Sequence, residues 1–195
     1  MRQFNESLTD EDLKKLPVSQ FAGRIELIDT LDKFHASIAG LKHCSLLGFD
    51  TETKPSFKKG RKNKVSLLQL ADNKTAWLFR LNKIGLPHEL AGILSDPSVT
   101  KVGVAVHDDI KALRNLKPFD PAGFVDLQNV VADHGIKQLG LKKLSAIVLG
   151  FSISKSQQVT NWEAPALTLP QQVYAATDAW VCRRIYLTIN GHDGH

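Results

Sequence analysis

Two carboxylates, Asp50 and Glu52, stand at the end of an apolar stretch in the segment LLGFDTETKPSF, residues 46–57. Successive side chains of a β-strand point to opposite faces, so we expect Asp50 and Glu52 on one face, with Thr51 between them. Like charges this close at the end of a buried strand need solvent, hydrogen-bond donors or a cation. An exposed strand end or a turn also accommodates such a pair, so the pair alone does not establish a site.

Two further acids lie next to apolar segments. Asp109 follows an apolar run and begins a predicted helix, where both Asp108 and Asp109 would also be good helix caps. Asp178 comes four residues after Tyr174 in YAATDAW, a spacing that places both side chains on one face of a helix. A structural tyrosine beside an exposed acid has the same spacing, so neither motif is decisive when taken singly.

Hydrophobic periodicity predicts the elements that must position these acids. Apolar alternation or continuous apolar runs predict strands over residues 24–28, 44–52, 64–72, 75–81 and 99–107. Apolar spacings of three or four, with Thr30, Pro87 and Pro170 near helix starts, predict helices over residues 7–16, 30–41, 86–96, 108–116, 124–135, 139–150 and 169–191. This order indicates an α/β fold in which helices flank a mixed sheet.

Composition and charge limit the classes of protein. The 195 residues, 43% hydrophobic and 23% charged, are typical of one globular domain with a substantial core. No apolar stretch approaches the roughly 18–20 residues needed to cross a bilayer, and the first residues contain no apolar signal core, so we expect a cytoplasmic protein without membrane contact. A net charge of +5 favours an anionic partner.

Taken in order, the segments FDTETKPSF, VGVAVHDDIKAL and YAATDAW resemble the three motifs of the DEDD superfamily of 3′–5′ exonucleases. The resemblance is to the tyrosine-containing subgroup, which includes RNase D and the Werner syndrome exonuclease domain. It implies a ribonuclease H-like fold and a metal-dependent enzyme that releases nucleoside monophosphates from the 3′ end of DNA or RNA. We therefore expect a polar segment over residues 1–20, an exonuclease domain over 21–191 and a tail over 192–195.

The resemblance also implies a role for each motif residue. Asp50, Glu52 and Asp178 would ligate one divalent metal ion, and Asp50 would bridge to a second. Asp109 would hold the second ion through water, and Tyr174 would position the attacking water. Oxygen ligands suit Mg²⁺ or Mn²⁺, and the charges of the four carboxylates and two divalent ions cancel before the phosphate arrives.

The second motif offers two adjacent acids for one role. Counting from the VGV of the strand, the aspartate of the family falls on Asp109, with Asp108 one residue early. On a helix the two side chains point about 100° apart, so only one can face the metal ions.

A basic loop, TKPSFKKGRKNK, follows the first motif and contributes Lys58, Lys59, Arg61, Lys62 and Lys64. Charge runs are usually solvated, but beside a phosphodiester-cleaving site this loop is expected to attract the nucleic acid backbone, with binding that weakens as salt rises. Phe57 and Trp162 are open to base stacking or core packing, whereas Leu70 is expected in the core.

Two other functions fit parts of the pattern. One is a catalytically inactive nucleic-acid-binding module of the same fold, and the other is an endonuclease of the wider ribonuclease H-like group. The presence of all five motif residues argues against the first, and the Tyr-x-x-x-Asp helix argues against the second. Within these residues no accessory nucleic-acid-binding domain follows the third motif, as it does in RNase D, which predicts weaker or less selective substrate binding.

Overall fold

The computed structural model describes residues 3–56 and 63–192. The strands of this part of the chain are β1 Arg24–Ile28, β2 Leu46–Thr53, β3 Val65–Ala71, β4 Thr75–Phe79, β5 Thr100–Gly103 and β6 Phe124–Asp126. They form one six-stranded sheet in the order β1-β4-β3-β2-β5-β6. β3 runs antiparallel to both of its neighbours and the other pairs are parallel, so the predicted mixed sheet is confirmed.

Helices of very different length surround the sheet. They are α1 Asp10–Lys15, α2 Leu31–Leu41, α3 Leu81–Ile84, α4 His88–Ser95, α5 Val106–Arg114, α6 Leu127–Ala132, α7 Leu141–Leu144 with a π-helical turn Ser145–Leu149, and α8 Leu169–Ile189. Threonine hydroxyls cap three of them: Thr9, Thr30 and Thr168 each accept a hydrogen bond from the backbone N–H three residues on. The predicted cap at Thr30 is confirmed.

Two predicted elements were wrong in part. Residues 99–107 do not form one strand, because β5 ends at Gly103 and α5 begins at Val106. Residues 124–135 were predicted as helix throughout, but the first three form β6, which pairs with β5, and α6 begins only at Leu127. Short apolar runs fit either period, so pairing with a neighbouring strand decided both cases.

The two faces of β2 have different neighbours. Leu47 and Phe49 point into the large apolar core that α2 and α4 also line. On the opposite face Gly48 lies against α8, so closely that a Cβ on Gly48 would lie 1.8 Å from the backbone oxygen of Ala179. The glycine therefore lets the long helix pack directly on the strand, which brings α8 within reach of the acids at the strand end.

The polar N-terminal segment packs against the region between α6 and α8. Leu8 and Gln138 exchange two hydrogen bonds of 3.0 Å, and Val18 forms a β-bridge with Ser152. No helix in the described ranges is both long and apolar enough to cross a membrane.

Candidate active site

The end of β2 carries Asp50 and Glu52 on the face that α8 covers, as alternation along the strand predicts. Asp178 projects from α8 toward the same point. One carboxylate oxygen from each of Asp50, Glu52 and Asp178 lies within 4.8 Å of those of the other two. A strand and a helix that are far apart in sequence thus bring three of the predicted residues together.

Asp178 has the most restricted surroundings of the three acids. Only 3% of its surface is exposed. Its Oδ2 accepts a hydrogen bond from the Lys155 ammonium at 3.0 Å. Its Oδ1 is buried and has no hydrogen-bond partner among the described residues. A buried carboxylate oxygen without a donor is costly unless a cation or water binds it.

Burial raises the pKa of all three carboxyl groups, and repulsion by neighbouring acids adds to the rise at Asp50 and Glu52. Burial raises the pKa of Asp50 well above its ordinary value, with the charge of Asp178 as the next cause. Burial and then the charge of Asp50 raise the pKa of Glu52 to about 9. Burial also raises the pKa of Asp178, although the Lys155 ammonium opposes that shift. A cation that binds the three oxygens would therefore displace protons at neutral pH.

The donors of this group fit a divalent metal ion. All three ligands are carboxylate oxygens, which Mg²⁺ and Mn²⁺ prefer. The buried oxygen of Asp178 that lacks a partner offers a free ligand position. Clustered negative charge that is unfavourable by itself becomes favourable around a cation. Asp50, Glu52 and Asp178 could therefore hold such an ion together.

Asp109 approaches these acids from the first turn of α5. Its Oδ1 accepts a hydrogen bond from the Thr51 hydroxyl, and the Thr51 backbone N–H donates to Asp50 Oδ1 at 2.9 Å. Thr51 thus connects the two aspartates. Burial raises the pKa of Asp109 to about 6, although the hydrogen bond from Thr51 lowers it. Asp108 is exposed, so the structure brings Asp109 rather than Asp108 to the site.

Tyr174 lies one helical turn before Asp178 and is buried. Its ring packs 6.0 Å from that of Trp162, and the Lys155 ammonium lies 5.4 Å from the ring centroid. Burial, followed by the charges of Asp178 and Glu52, raises the pKa of Tyr174 above its ordinary value. The hydroxyl therefore keeps its proton over the whole neutral range.

The comparisons with known proteins agree with this geometry. A model of the 3′–5′ exonuclease family matches residues 25–191, which include all five motif residues. The chain belongs to this family. Exonuclease 3′-5′ domain-containing protein 2 of Drosophila melanogaster is 36% identical over 151 residues, which cover 74% of this chain and 26% of that protein. The chain spans about half or less of the length of the first curated relatives it matches.

Solved structures of exonucleases resemble the whole sheet and its helices. The Nibbler EXO domain of Aedes aegypti has a TM-score of 0.80 and 26% identity, covering 90% of this chain and 92% of that one. Escherichia coli RNase D, an exoribonuclease, has a TM-score of 0.78 and 26% identity, covering 87% of this chain and 45% of that one. The predicted ribonuclease H-like mixed sheet is therefore confirmed.

The sequence analysis did not identify two residues that contact the site or its surroundings. Lys155, which binds Asp178, is a single lysine in a polar segment, and its spacing gives no signal. Arg80 is fully buried and donates hydrogen bonds to the backbone oxygens of Trp162 at 3.4 Å and Ala164 at 2.6 Å. It anchors the segment that packs on Tyr174. A charged residue at the end of the apolar run TAWLF was the signal that could have identified it.

The other predicted binding residues fall into three groups. Trp162 and Leu70 are fully buried, so both belong to the core. Lys64 is exposed at the start of β3. The remaining residues lie outside the described part of the chain: Phe57, Lys58, Lys59, Arg61 and Lys62.

Proposed function

We propose that this protein is a metal-dependent 3′–5′ exonuclease that hydrolyses phosphodiester bonds at the 3′ end of DNA or RNA and releases nucleoside monophosphates. The observation that carries the proposal is the group of three carboxylates within 4.8 Å, on β2 and α8, in a chain of the 3′–5′ exonuclease family. The wider geometry supports an enzyme rather than an inactive binding module, since Asp109 and Tyr174 lie beside the same group.

Two divalent ions, Mg²⁺ or Mn²⁺, fit the acids of the site. Asp50, Glu52 and Asp178 would hold one ion, and Asp50 together with Asp109 would hold the other. Such ions lower the pKa of water and stabilise the charge that develops at the scissile phosphate. The free oxygen of Asp178 supports the first position, and the connection from Asp50 through Thr51 to Asp109 supports the second.

Tyr174 orients the attacking water in this proposal. Its raised pKa keeps the hydroxyl protonated, so it acts as a hydrogen-bonding group rather than as a base. Trp162 packs on its ring and Arg80 anchors the backbone around Trp162, which limits the positions of the hydroxyl. Precise orientation of a bound water contributes directly to rate.

Lys155 supplies positive charge at the edge of the acidic group. Its ammonium binds Asp178 at 3.0 Å while 30% of its side chain is exposed. A partly exposed cation in that position is able to turn from the carboxylate to an incoming phosphate, because lysine has a long, flexible stem. The exchange would leave Asp178 free to bind the metal ion.

The 3′-terminal nucleotide of the substrate has space on the α5 side of the acids. A cavity of about 580 Å³ opens there, and its lining combines the basic residues Lys54 and Lys111 with polar and acidic ones that include Thr51, Asn63, Asp108 and Asp109. Lysines beside a metal-binding group suit a phosphodiester backbone. The basic loop, residues 58–64, lies next to this cavity in sequence and would extend the attraction along the strand.

The deciding experiment uses 5′-labelled single strands and recessed duplexes, as DNA and as RNA, with Mg²⁺, Mn²⁺ or EDTA. The wild type is compared with Asp50→Asn and with Asp120→Asn, a matched control that neutralises an exposed acid between α5 and β6. We expect stepwise shortening that requires metal, is lost in Asp50→Asn and is unchanged in Asp120→Asn.

Three results would contradict the proposal. Shortening by the Asp50→Asn protein would show that the acidic group is not the catalytic centre. Salt-sensitive binding of the same strands without turnover, in any metal, would identify a binding module instead. Internal cuts in place of a ladder would identify an endonuclease.

A further inference from the structure

The backbone takes an unusual conformation where α5 begins. Ala105, immediately before the helix, has φ 55° and ψ 41°, in the left-handed region. Among the described residues other than glycine, it is the one with positive φ. An alanine disfavours this conformation because its Cβ approaches the backbone, so neighbouring groups must stabilise the turn.

The carboxylate of Asp126 holds this turn. Its Oδ1 accepts the backbone N–H of Ala105 at 3.0 Å, and its Oδ2 accepts that of Val106 at 3.2 Å. Oδ1 also accepts the N–H of Gln128 at 2.9 Å and thereby caps α6. The parallel pairing of β5 with β6 places Asp126 opposite Gly103, at the point where the chain leaves the sheet for α5.

The turn sets the direction of Asp109. Asp109 lies three residues after Val106, within the first turn of α5, and its carboxylate meets the Thr51 hydroxyl. A helix that began one residue later would rotate this side chain by about 100° and move it away from Thr51. The residue at which the helix starts therefore determines whether Asp109 meets the Thr51 hydroxyl.

We propose that Asp126 is a positioning residue for Asp109: its carboxylate, through the N–H groups of Ala105 and Val106, stabilises the left-handed turn that directs Asp109 toward Thr51 and the acidic group. This inference rests on the proposed function for its effect on catalysis. The positioning itself is a property of the folded chain.

The first test observes Asp109 directly in metal-free protein, through the ¹³C signal of its carboxyl carbon. Thr51→Val removes the hydroxyl that donates to Asp109. Its spectrum therefore shows where the Asp109 signal lies once that hydrogen bond is lost. Asp126→Ser keeps a helix-capping oxygen for α6 but cannot accept from both Ala105 and Val106. We expect the Asp109 signal of Asp126→Ser to move toward that of Thr51→Val, with amide exchange at Val106 faster by about tenfold.

The second test is a rescue measured by cleavage. Asp126→Ser is expected to lower kcat about tenfold with KM nearly unchanged, since residues that orient a ligand typically act on this scale. Adding Ala105→Gly, which adopts positive φ without strain, should restore at least half of the loss on a logarithmic scale. Asp126→Asn keeps an oxygen for Ala105 and Gln128 but turns a donating amide nitrogen toward the N–H of Val106, so it too should lower kcat.

A wild-type carboxyl signal for Asp109 in Asp126→Ser would overturn the inference, as would a loss of activity that Ala105→Gly leaves unchanged. A general loss of stability would alter thermal unfolding without reproducing the Thr51→Val signal, and it too would count against positioning. If the wild type cleaves no substrate, the proposed function fails, while the Asp109 signal still decides the role of Asp126.

Discussion

The acids of the site are held by two different kinds of structure. Asp50, Glu52 and Asp178 lie on an interior strand and on a 21-residue helix, pressed together at Gly48. Asp109 lies on the first turn of a nine-residue helix that follows a left-handed turn. The first group is therefore positioned by the core of the fold, and Asp109 by a local turn and its hydrogen bonds.

The difference appears in the electrostatics as well. Glu52, within the group of three, has a pKa raised to about 9, whereas that of Asp109 is raised only to about 6. Repulsion inside the group opposes folding until a cation binds, which is typical of sites whose geometry serves function at the expense of stability. Asp109 accepts a hydrogen bond from Thr51, so its charge destabilises the fold less. Its position depends more on the turn at Ala105.

The largest expected effect is from Asp50→Asn. Asp50 is the acid that both proposed metal positions share, so the substitution should lower cleavage by at least ~10³-fold. Because folding without metal must protonate this buried carboxyl at neutral pH and the substitution removes that cost, the thermal midpoint in EDTA should rise rather than fall. Cleavage assays and thermal unfolding check both effects. If Asp50→Asn cleaved at a rate close to that of the wild type, the group of three would be no more important for cleavage than Asp109.

Asp109→Asn should lower cleavage less, by about 10²-fold, because the group of three still binds an ion. Titration with Mn²⁺, followed by the paramagnetic resonance signal of the free ion, should show one binding position kept and the other weakened. If Asp109→Asn and Asp50→Asn both lost both Mn²⁺-binding positions, the four acids would bind the ions as a single unit.

Tyr174→Phe should reduce kcat roughly tenfold, less than the ~10²–10⁴-fold of a general acid or base, because Tyr174 transfers no proton. The ring that packs on Trp162 remains, so stability and Mn²⁺ binding should match the wild type. Single-turnover cleavage at saturating metal checks the rate. An unchanged rate would assign the orientation of water to another group on α8 or to Lys155.

The smallest effect concerns stability against pH in EDTA. A carboxyl whose pKa is raised in the folded state stabilises the fold at low pH, and this stabilisation is lost as pH rises. The window runs from 4.5 to about 9 for Glu52 and from 3.8 to about 6 for Asp109. Urea unfolding should therefore show a decline of roughly 1 kcal/mol between pH 8 and pH 9 that Glu52→Gln reduces. Asp109→Asn should leave this decline in the free energy of unfolding unchanged. If Asp109→Asn and Glu52→Gln reduced it equally, the difference in electrostatics between Asp109 and the group of three would be wrong.

Most of the fold was predictable because its elements carry strong local signals. The capping threonine of α2, the proline at the start of α8 and the apolar run of β2 each indicate their element independently of the rest. The errors arose where the signal was short. β6 has only three residues, and the transition from β5 to α5 occurs within an apolar run that fits either structure.

The residues that come together at the site were predictable from the sequence, but the residues that position them were not. Asp50, Glu52, Tyr174 and Asp178 follow from spacing on one strand and one helix, and the resemblance to a family orders them. Lys155, Arg80 and Asp126 act on the site through contacts across the fold, with no periodicity to reveal them. Their roles depend on which distant backbone groups the fold brings near.

The sequence by itself determined most element types, the shared face of Asp50 and Glu52, and the shared face of Tyr174 and Asp178, because these follow from the repeat of a strand and of a helix. Only the tertiary structure decided that the two faces meet, that Asp109 rather than Asp108 joins them, and that one buried oxygen of Asp178 has no hydrogen-bond partner among the described residues. Those facts depend on the packing of α8 on Gly48 and on the turn at Ala105, which join residues far apart along the chain.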